Sequence, residues 1–318
     1  MNPYVFIVGC ARSGNTLLKR MIDAHPDIAI TNQSRFIPYF FKKREGLTPE
    51  GFVTPELIPK LLEYRRFPKM KVGREQLEGL INSDEPDSYS TFVSAIFDLY
   101  GKGQGKRLVG DKTPSYLRHM PTLHALWPKA KFAHIIRDGR DVSLSAINWW
   151  RGYQLARRYS TWTEDPITTA AVWWDWQVRT GREDGGSLTP KLYHEVRYEA
   201  LVSRPAKTCE TLCEFLGIPY DEGMLKFHEG RERSKPGRSA KRAWLRVTPG
   251  LRDWRTQMPA QDLERFEAAA GELLEELGYH RAVPDPPGEM MENASRIRNS
   301  FRQDVLARYG RLPKGWER

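Results

Sequence analysis

The chain has 318 residues, 40% apolar and 28% charged, a balance that suits one large α/β domain and excludes general disorder. Fifty Lys and Arg against forty Asp and Glu leave a net charge of +10, which favours anionic ligands. Three cysteines (Cys10, Cys209, Cys213) make neither a disulfide framework nor a paired zinc motif, and no apolar stretch approaches the roughly 20 residues that span a bilayer. A cytoplasmic protein without a membrane span is expected, since the opening MNPYVFIVGC is too short and unflanked for a signal peptide.

Tyr4 to Val8 is an apolar run closed by Gly9 and reads as a buried parallel strand. Thr16 to Ala24 carries apolar residues at helical spacing and stops at His25-Pro26. Ile28 to Ile30 is a second short strand. Residues 36–106 are mixed and mostly helical, broken by Pro and Gly, and are the natural place for an acceptor-binding insert. Order returns with a strand at Arg107 to Gly110, a helix over Ser115 to Leu126, a strand at Lys131 to Arg137 and a helix over Asp141 to Trp150. An aromatic-rich helix spans Ile167 to Thr180, a strand Lys191 to Tyr198, and a helix Pro205 to Leu216 that ends at Gly217. A last strong helix covers Gln261 to Leu277; PDPPG then breaks the pattern before a basic tail, so a domain over 1–283 and a tail over 284–318 are expected. The alternation predicts a doubly wound parallel sheet flanked by helices, P-loop-like, with ligands at the carboxyl ends of its strands.

Two segments carry anion-binding chemistry. Residues 9–16 read GCARSGNT between a strand and a helix, where backbone N–H groups and a helix N-terminus attract a phosphate. Gly9 and Gly14 permit the turn, Ser13 and Thr16 add hydroxyls, and Arg12, Ser13, Gly14, Asn15, Thr16 and Leu17 are the candidate ligands. The spacing follows the nucleotide-hydrolase pattern except at Asn15, where that pattern keeps a Lys for the β- and γ-phosphates. A degenerate kinase or NTPase loop is therefore the weaker reading. The second segment, RDGRDVSLS at 137–145, offers the forked donors of Arg137 and the hydroxyl of Ser145, and by itself reads equally well as a surface ion-pair cluster.

Together the two segments resemble the sulfotransferases that use 3′-phosphoadenosine 5′-phosphosulfate (PAPS). FIVGCARSGNTLLKRMIDAHPDI is similar to the opening of that family, whose loop reads [PA]-[KR]-S-G-[TN]-T, and most similar to a bacterial branch related to tyrosylprotein sulfotransferases. The family's R-D-x-R-x-x-x-x-S motif matches 137–145, about 125 residues after the loop. The resemblance implies that the loop holds the 5′-phosphosulfate with Arg12 beside the transferring group, and that Arg137 and Ser145 hold the 3′-phosphate. It further implies that Lys112, in GDKTPSYL, lies near the reacting centre, that Tyr198 lines the adenine pocket, and that Arg246, in RVTPGLRDWR, touches a phosphate. The product would be 3′,5′-adenosine bisphosphate (PAP), and the acceptor a hydroxyl on a natural product, glycan, lipid or phenol.

Relatives keep a general base after the A-H-P turn. Here the segment is TNQSRFIP, with Gln33 where the Glu would stand and Arg35 where many bacterial relatives have His. Asp111, His119 and His124 are the nearest substitutes in sequence. Trp149, Trp150, Trp162, Trp173, Trp174 and Trp176 read first as core and second as a pocket wall. No metal-ligand cluster is visible, and the basic tail contains no recognisable nucleic-acid-binding module.

Overall fold

A computed structural model describes residues 4–81, 87–147, 158–229, 247, 250 and 252–316. Five strands, β1 (Val5–Gly9), β2 (Ile28–Asn32), β3 (Leu108–Lys112), β4 (Lys131–Ile136) and β5 (Tyr193–Arg197), pair in parallel in the order β2-β3-β1-β4-β5. Each lies within two residues of its expected position. Strands covered on both faces read as continuous apolar runs, and VFIVG of β1 is buried throughout. The register brings the carboxyl ends level: Lys112 lies beside both Ile7 and Asn32, Gly9 beside Ile135, and Ile136 beside Arg197. Loops that leave the sheet at this edge therefore share one surface. Between β1 and β4 the strand order reverses, which opens the crevice where such sheets bind ligands.

Helix α1 (Asn15–Ala24) returns the chain from β1 to β2. The long 33–107 crossover holds α2 (Phe36–Lys43), α3 (Leu57–Glu63), α4 (Arg74–Glu78) and α5 (Tyr89–Gly103). Between β3 and β4 the expected single helix is two pieces, a 3-10 turn at Pro114–His119 and α6 (Met120–Leu126). Pro121 explains the break, because its ring has no N–H to continue a helical ladder. Next come α7 (Gly139–Ile147) and α8 (Pro166–Gly186), whose start is set by Asp165: its side chain accepts from Thr168 N at 3.0 Å. Trp149 and Trp150 lie outside the described residues. After β5 follow α9 (Tyr198–Ser203), α10 (Pro205–Leu216), α11 (Trp254–Gln257), α12 (Ala260–Glu276) and α13 (Gly288–Tyr309).

One face of the sheet is covered by α1 and α10 through Leu18, Met21, Leu212 and Leu216. On the other face the 36–106 segment packs Phe36, Phe40, Phe92 and Phe97 against Phe6 and Phe132. A third apolar cluster joins α7, α8, α12 and α13, with Trp162, Trp173, Trp174 and Trp176 inside it. Those tryptophans are core.

The expected tail is corrected by the structure. Helix α13 buries Ala294, Ile297, Phe301 and Val305, a helical stripe, in that third cluster. Phe301 stacks on Tyr159 with centroids 4.3 Å apart. Asp175, almost fully buried on α8, accepts from Trp316 Nε1 at 2.7 Å, Arg298 at 3.0 Å and Arg179 at 3.0 Å. Two of these donors, Arg298 and Trp316, come from the C-terminal segment and fix it to the domain. Among the described residues, no helix is long and apolar enough to cross a membrane.

Candidate active site

The loop after β1 turns tightly into α1. Gly9 at φ 151°, Arg12 at φ 77° and Gly14 at φ 97° turn the backbone so that the chain enters α1 directly. No side chain caps α1 and its first turn has no carboxylate, so the amides of the opening turn and the helix dipole face outward with positive sign. Ser13 is fully buried, and its Oγ meets no hydrogen-bond partner among the described residues. Asn15 has a different task from the lysine it replaces: its Nδ2 donates to Cys10 O at 2.8 Å and ties the loop across its own mouth. Thr16 and Leu17 open the helix, half-buried.

Across the crevice, β4 delivers Arg137 and α7 delivers Ser145. Arg12 Nε donates to Ser145 Oγ at 2.8 Å, which joins the two motifs. Arg137 pairs with Asp141 at 2.9 Å and stacks 4.2 Å from the centre of the Tyr198 ring. Burial, then the charges of Arg137 and Arg252, lower the Arg12 guanidinium to about 10. Three guanidinium groups held this close repel one another, and an anion between them relieves the repulsion. The Arg137 Nε is buried and has no hydrogen-bond partner among the described residues.

Tyr198, first residue of α9, closes the floor. A Cβ on Gly14 would lie 2.4 Å from the Tyr198 ring, and φ 97° is a backbone state that side chains rarely adopt. We expect Gly14→Ala to cost about 1–3 kcal/mol and to shift the Tyr198 ring. Thermal unfolding followed by tyrosine absorbance checks this; an unchanged midpoint contradicts the packing described.

The segment over residues 252–255 approaches from above. Arg252 O accepts from Arg137 at 3.5 Å, Trp254 N donates to Asp141 Oδ1 at 2.9 Å, and Arg140 lies 3.6 Å from the Trp254 ring centre. Arg246 lies outside the described residues. Arg252 is a third cation at the cradle that motif matching missed; only its place in RVTPGLRDWR hinted at it.

Lys112 ends β3, 2% exposed, and makes no ion pair with a described carboxylate. Burial lowers its ammonium to about 7, with Asp111 opposing and Lys19, Lys69 and Arg20 reinforcing the shift. Beside it, Gln33 N donates to Lys112 O at 2.9 Å, and Gln33 Oε1 accepts from Arg66 at 2.9 Å. Gln33 and Arg35 adopt left-handed φ values of 56° and 59°, so the chain turns sharply next to Lys112.

The substitute bases fare unequally. Asp111 is fully buried and accepts from Thr31, Thr113 and Ser34 N, which makes it a pin between β2 and β3. His119 is lowered to about 3 by burial, then Lys42, Arg118 and Arg311, and lies edge-on to Tyr116. His124 sits on α6, and no described contact ties it to the cradle.

Residues 3–222 match the family model described as "Sulfotransferase family". Protein-tyrosine sulfotransferase 1 of Danio rerio is 27% identical over 310 residues, covering 94% of this chain and 79% of the relative. The Homo sapiens protein of the same name is 27% identical over 309 residues, covering 93% and 76%. In fold, the chain is similar to the sulfotransferase domain from the Synechococcus PCC 7002 olefin synthase (TM-score 0.55, 22% identity, covering 88% and 95%). It is also similar to the sulfotransferase domain from the curacin biosynthetic pathway (TM-score 0.54, 20% identity, covering 93% and 98%). With its phosphate loop and sheet order, the chain belongs to the sulfotransferase family. It is a PAPS-dependent sulfotransferase, an enzyme that transfers a sulfonate group.

Proposed function

We propose that Arg12, Arg137, Ser145 and the amides at Ser13 to Leu17 hold the two phosphate ends of PAPS, with Lys112 at the reacting centre. The carrying observation is the contact of Arg12 with Ser145, which makes one basic cradle of two motifs far apart in sequence. The Ser13 Oγ and Arg137 Nε, buried and without a hydrogen-bond partner among the described residues, support the fit, since both can donate to an anion. Tyr198, against Gly14 and Arg137, supplies an aromatic face suited to the adenine side of the ligand.

PAPS would bring the sulfonate: the acceptor oxygen bonds to sulfur as the sulfur–phosphate-oxygen bond breaks, leaving PAP, and the acceptor's proton is released to a base or to solvent. The chain's share of the work is positioning and charge. Arg12 and the loop amides neutralise the departing phosphate oxygen, and Lys112 adds a mobile proton-bearing cation at the same edge. The 33–106 crossover, which starts beside Lys112, frames the acceptor. A glycan, lipid, phenol or natural-product hydroxyl fits this reading, as does a reducing cytoplasm, supported by three buried free thiols.

The test is calorimetry without metal. PAP is expected to bind in the micromolar range and 5′-AMP at least tenfold more weakly. Arg137→Ala should weaken PAP about 10- to 100-fold and leave 5′-AMP nearly unchanged, because a charge-assisted contact is worth about 1.5–3 kcal/mol. Equal affinity of the wild type for both nucleotides would overturn the assignment of Arg137 and Ser145 to the 3′-phosphate.

A further inference from the structure

Outside the nucleotide cradle, the described surface has a second concentration of cations. A pocket of about 420 Å³ is lined by Arg35, Ser115, Arg118, Arg158, Arg308 and Tyr309, with four arginines and no carboxylate among the described residues. None of the four makes an ion pair with a described Asp or Glu, whereas Arg137, Arg140, Arg179 and Arg298 each do. The Arg35 and Arg118 Nε atoms are buried without a hydrogen-bond partner among the described residues. Arg118 is held in place from behind: it donates to Gln177 at 2.7 Å and lies 5.3 Å and 5.0 Å from the Trp176 and Tyr309 ring centres.

The pocket adjoins the reacting edge of the sheet. Arg35 is two residues past Gln33, and Ser115 three past Lys112. Burial, then Arg66, Arg158 and Arg118, lower the Arg35 guanidinium to about 10, so the cations share one field. Uncompensated guanidinium groups with desolvated donors are costly to assemble unless a ligand neutralises them. Their flat forks fit the planar or tetrahedral oxygens of a carboxylate or phosphate. The volume suits a small molecule.

We propose that this pocket binds an oxyanion carried by the sulfate acceptor, a carboxylate or a phosphate monoester, and so selects hydroxyl compounds that are already anionic. The inference rests on the reading of the adjoining site as a sulfonate-transfer centre. Two of the lining residues, Arg308 and Tyr309, come from the last turn of α13, beyond the residues that match the family model.

Calorimetry on the full chain saturated with PAP tests the proposal with two matched pairs: 4-hydroxyphenylacetate against its methyl ester, and glycerol 2-phosphate against glycerol. At least one anion should bind tenfold or more tightly than its neutral partner, and which one does so assigns the oxyanion. Arg158 and Arg308 are exposed, so the double variant Arg158→Gln/Arg308→Gln should fold. It is expected to weaken the preferred anion about tenfold and to leave the neutral partner and PAP unchanged. Esters or glycerol that bind as tightly as their anions, no detectable binding of either anion, or an anion preference that survives the double variant would each overturn the proposal. If PAP itself fails to bind, the transfer reading fails, and the same pairs measured without PAP still decide whether the pocket takes an oxyanion.

Discussion

Replacing Lys112 by Met is expected to lower kcat about 10²- to 10³-fold with every acceptor while making the unliganded protein more stable near pH 6. The loss of rate follows from the loss of a cation where negative charge develops on the leaving oxygen. The gain in stability follows from burial. The unfolded chain keeps this ammonium protonated up to about pH 10.4, whereas the folded chain releases the proton at about 7. Between those values the unfolded state binds the extra proton, so stability rises with pH across the window. Below pH 7 both states are charged and the desolvation cost stands in full. Each unit of depression is worth about 1.4 kcal/mol, which makes the cost a few kcal/mol. The Met variant should therefore exceed the wild type in thermal midpoint below pH 7, with the advantage fading towards pH 10. An anion bound beside Lys112 restores its proton, so PAP binding at pH 8.5 should take up close to one proton in the wild type and none in the variant. Calorimetry in two buffers of different ionisation heat reads that uptake. A variant with unchanged proton uptake would remove Lys112 from the nucleotide site.

Gln33→Glu is expected to act in opposite directions on two kinds of acceptor. Gln33 is joined to Lys112 through a backbone hydrogen bond, and its amide oxygen already accepts from Arg66. A carboxylate there keeps the contact with Arg66, which holds it ionised and makes it a weaker base than a free Glu. For an aliphatic alcohol, general-base help should still raise kcat, towards the lower end of the usual 10²- to 10⁴-fold range, with the rate climbing as the carboxylate ionises. For a phenol attacking as its anion, the new charge should slow the reaction. Adding Arg66→Gln should strengthen the base and move the rise to higher pH. The measurement is kcat against pH for wild type, single and double variants with one alcohol and one phenol. If neither rate nor pH profile changes, Gln33 lies outside the acceptor site.

The phosphate loop was legible because its signals are local. A buried strand, two glycines and an amphipathic helix occupy adjacent residues, and the backbone turns of Gly9 and Gly14 are what only glycine adopts freely. Arg137 and Ser145 were legible only as half of a pattern, since their string reads equally as a surface ion-pair cluster. Arg137 does pair with Asp141, so the bland reading was partly right as well. Asn15 shows the limit of a motif: the residue sits where a lysine was expected, but its amide braces the loop. The C-terminal helix was misread as a basic tail because its apolar stripe is narrow and its charges many. Its partners, Asp175 and the aromatic cluster of α8, lie more than a hundred residues earlier.

The sequence by itself determined the class of fold and the order of its strands, and it singled out the residues proposed to meet an anionic nucleotide, because periodicity and turn chemistry act between near neighbours. The tertiary structure decided what the long-range packing brings together. It set Arg252 beside Arg12, turned Asp111 from a candidate base into a pin, and fastened Gln33 to Arg66. It also carried Arg308 and Tyr309 across the domain to complete a cationic pocket with Arg35 and Arg118. No local pattern encodes that last meeting. It follows from docking α13 on α8, which the apolar cluster and the buried Asp175 carboxylate drive together.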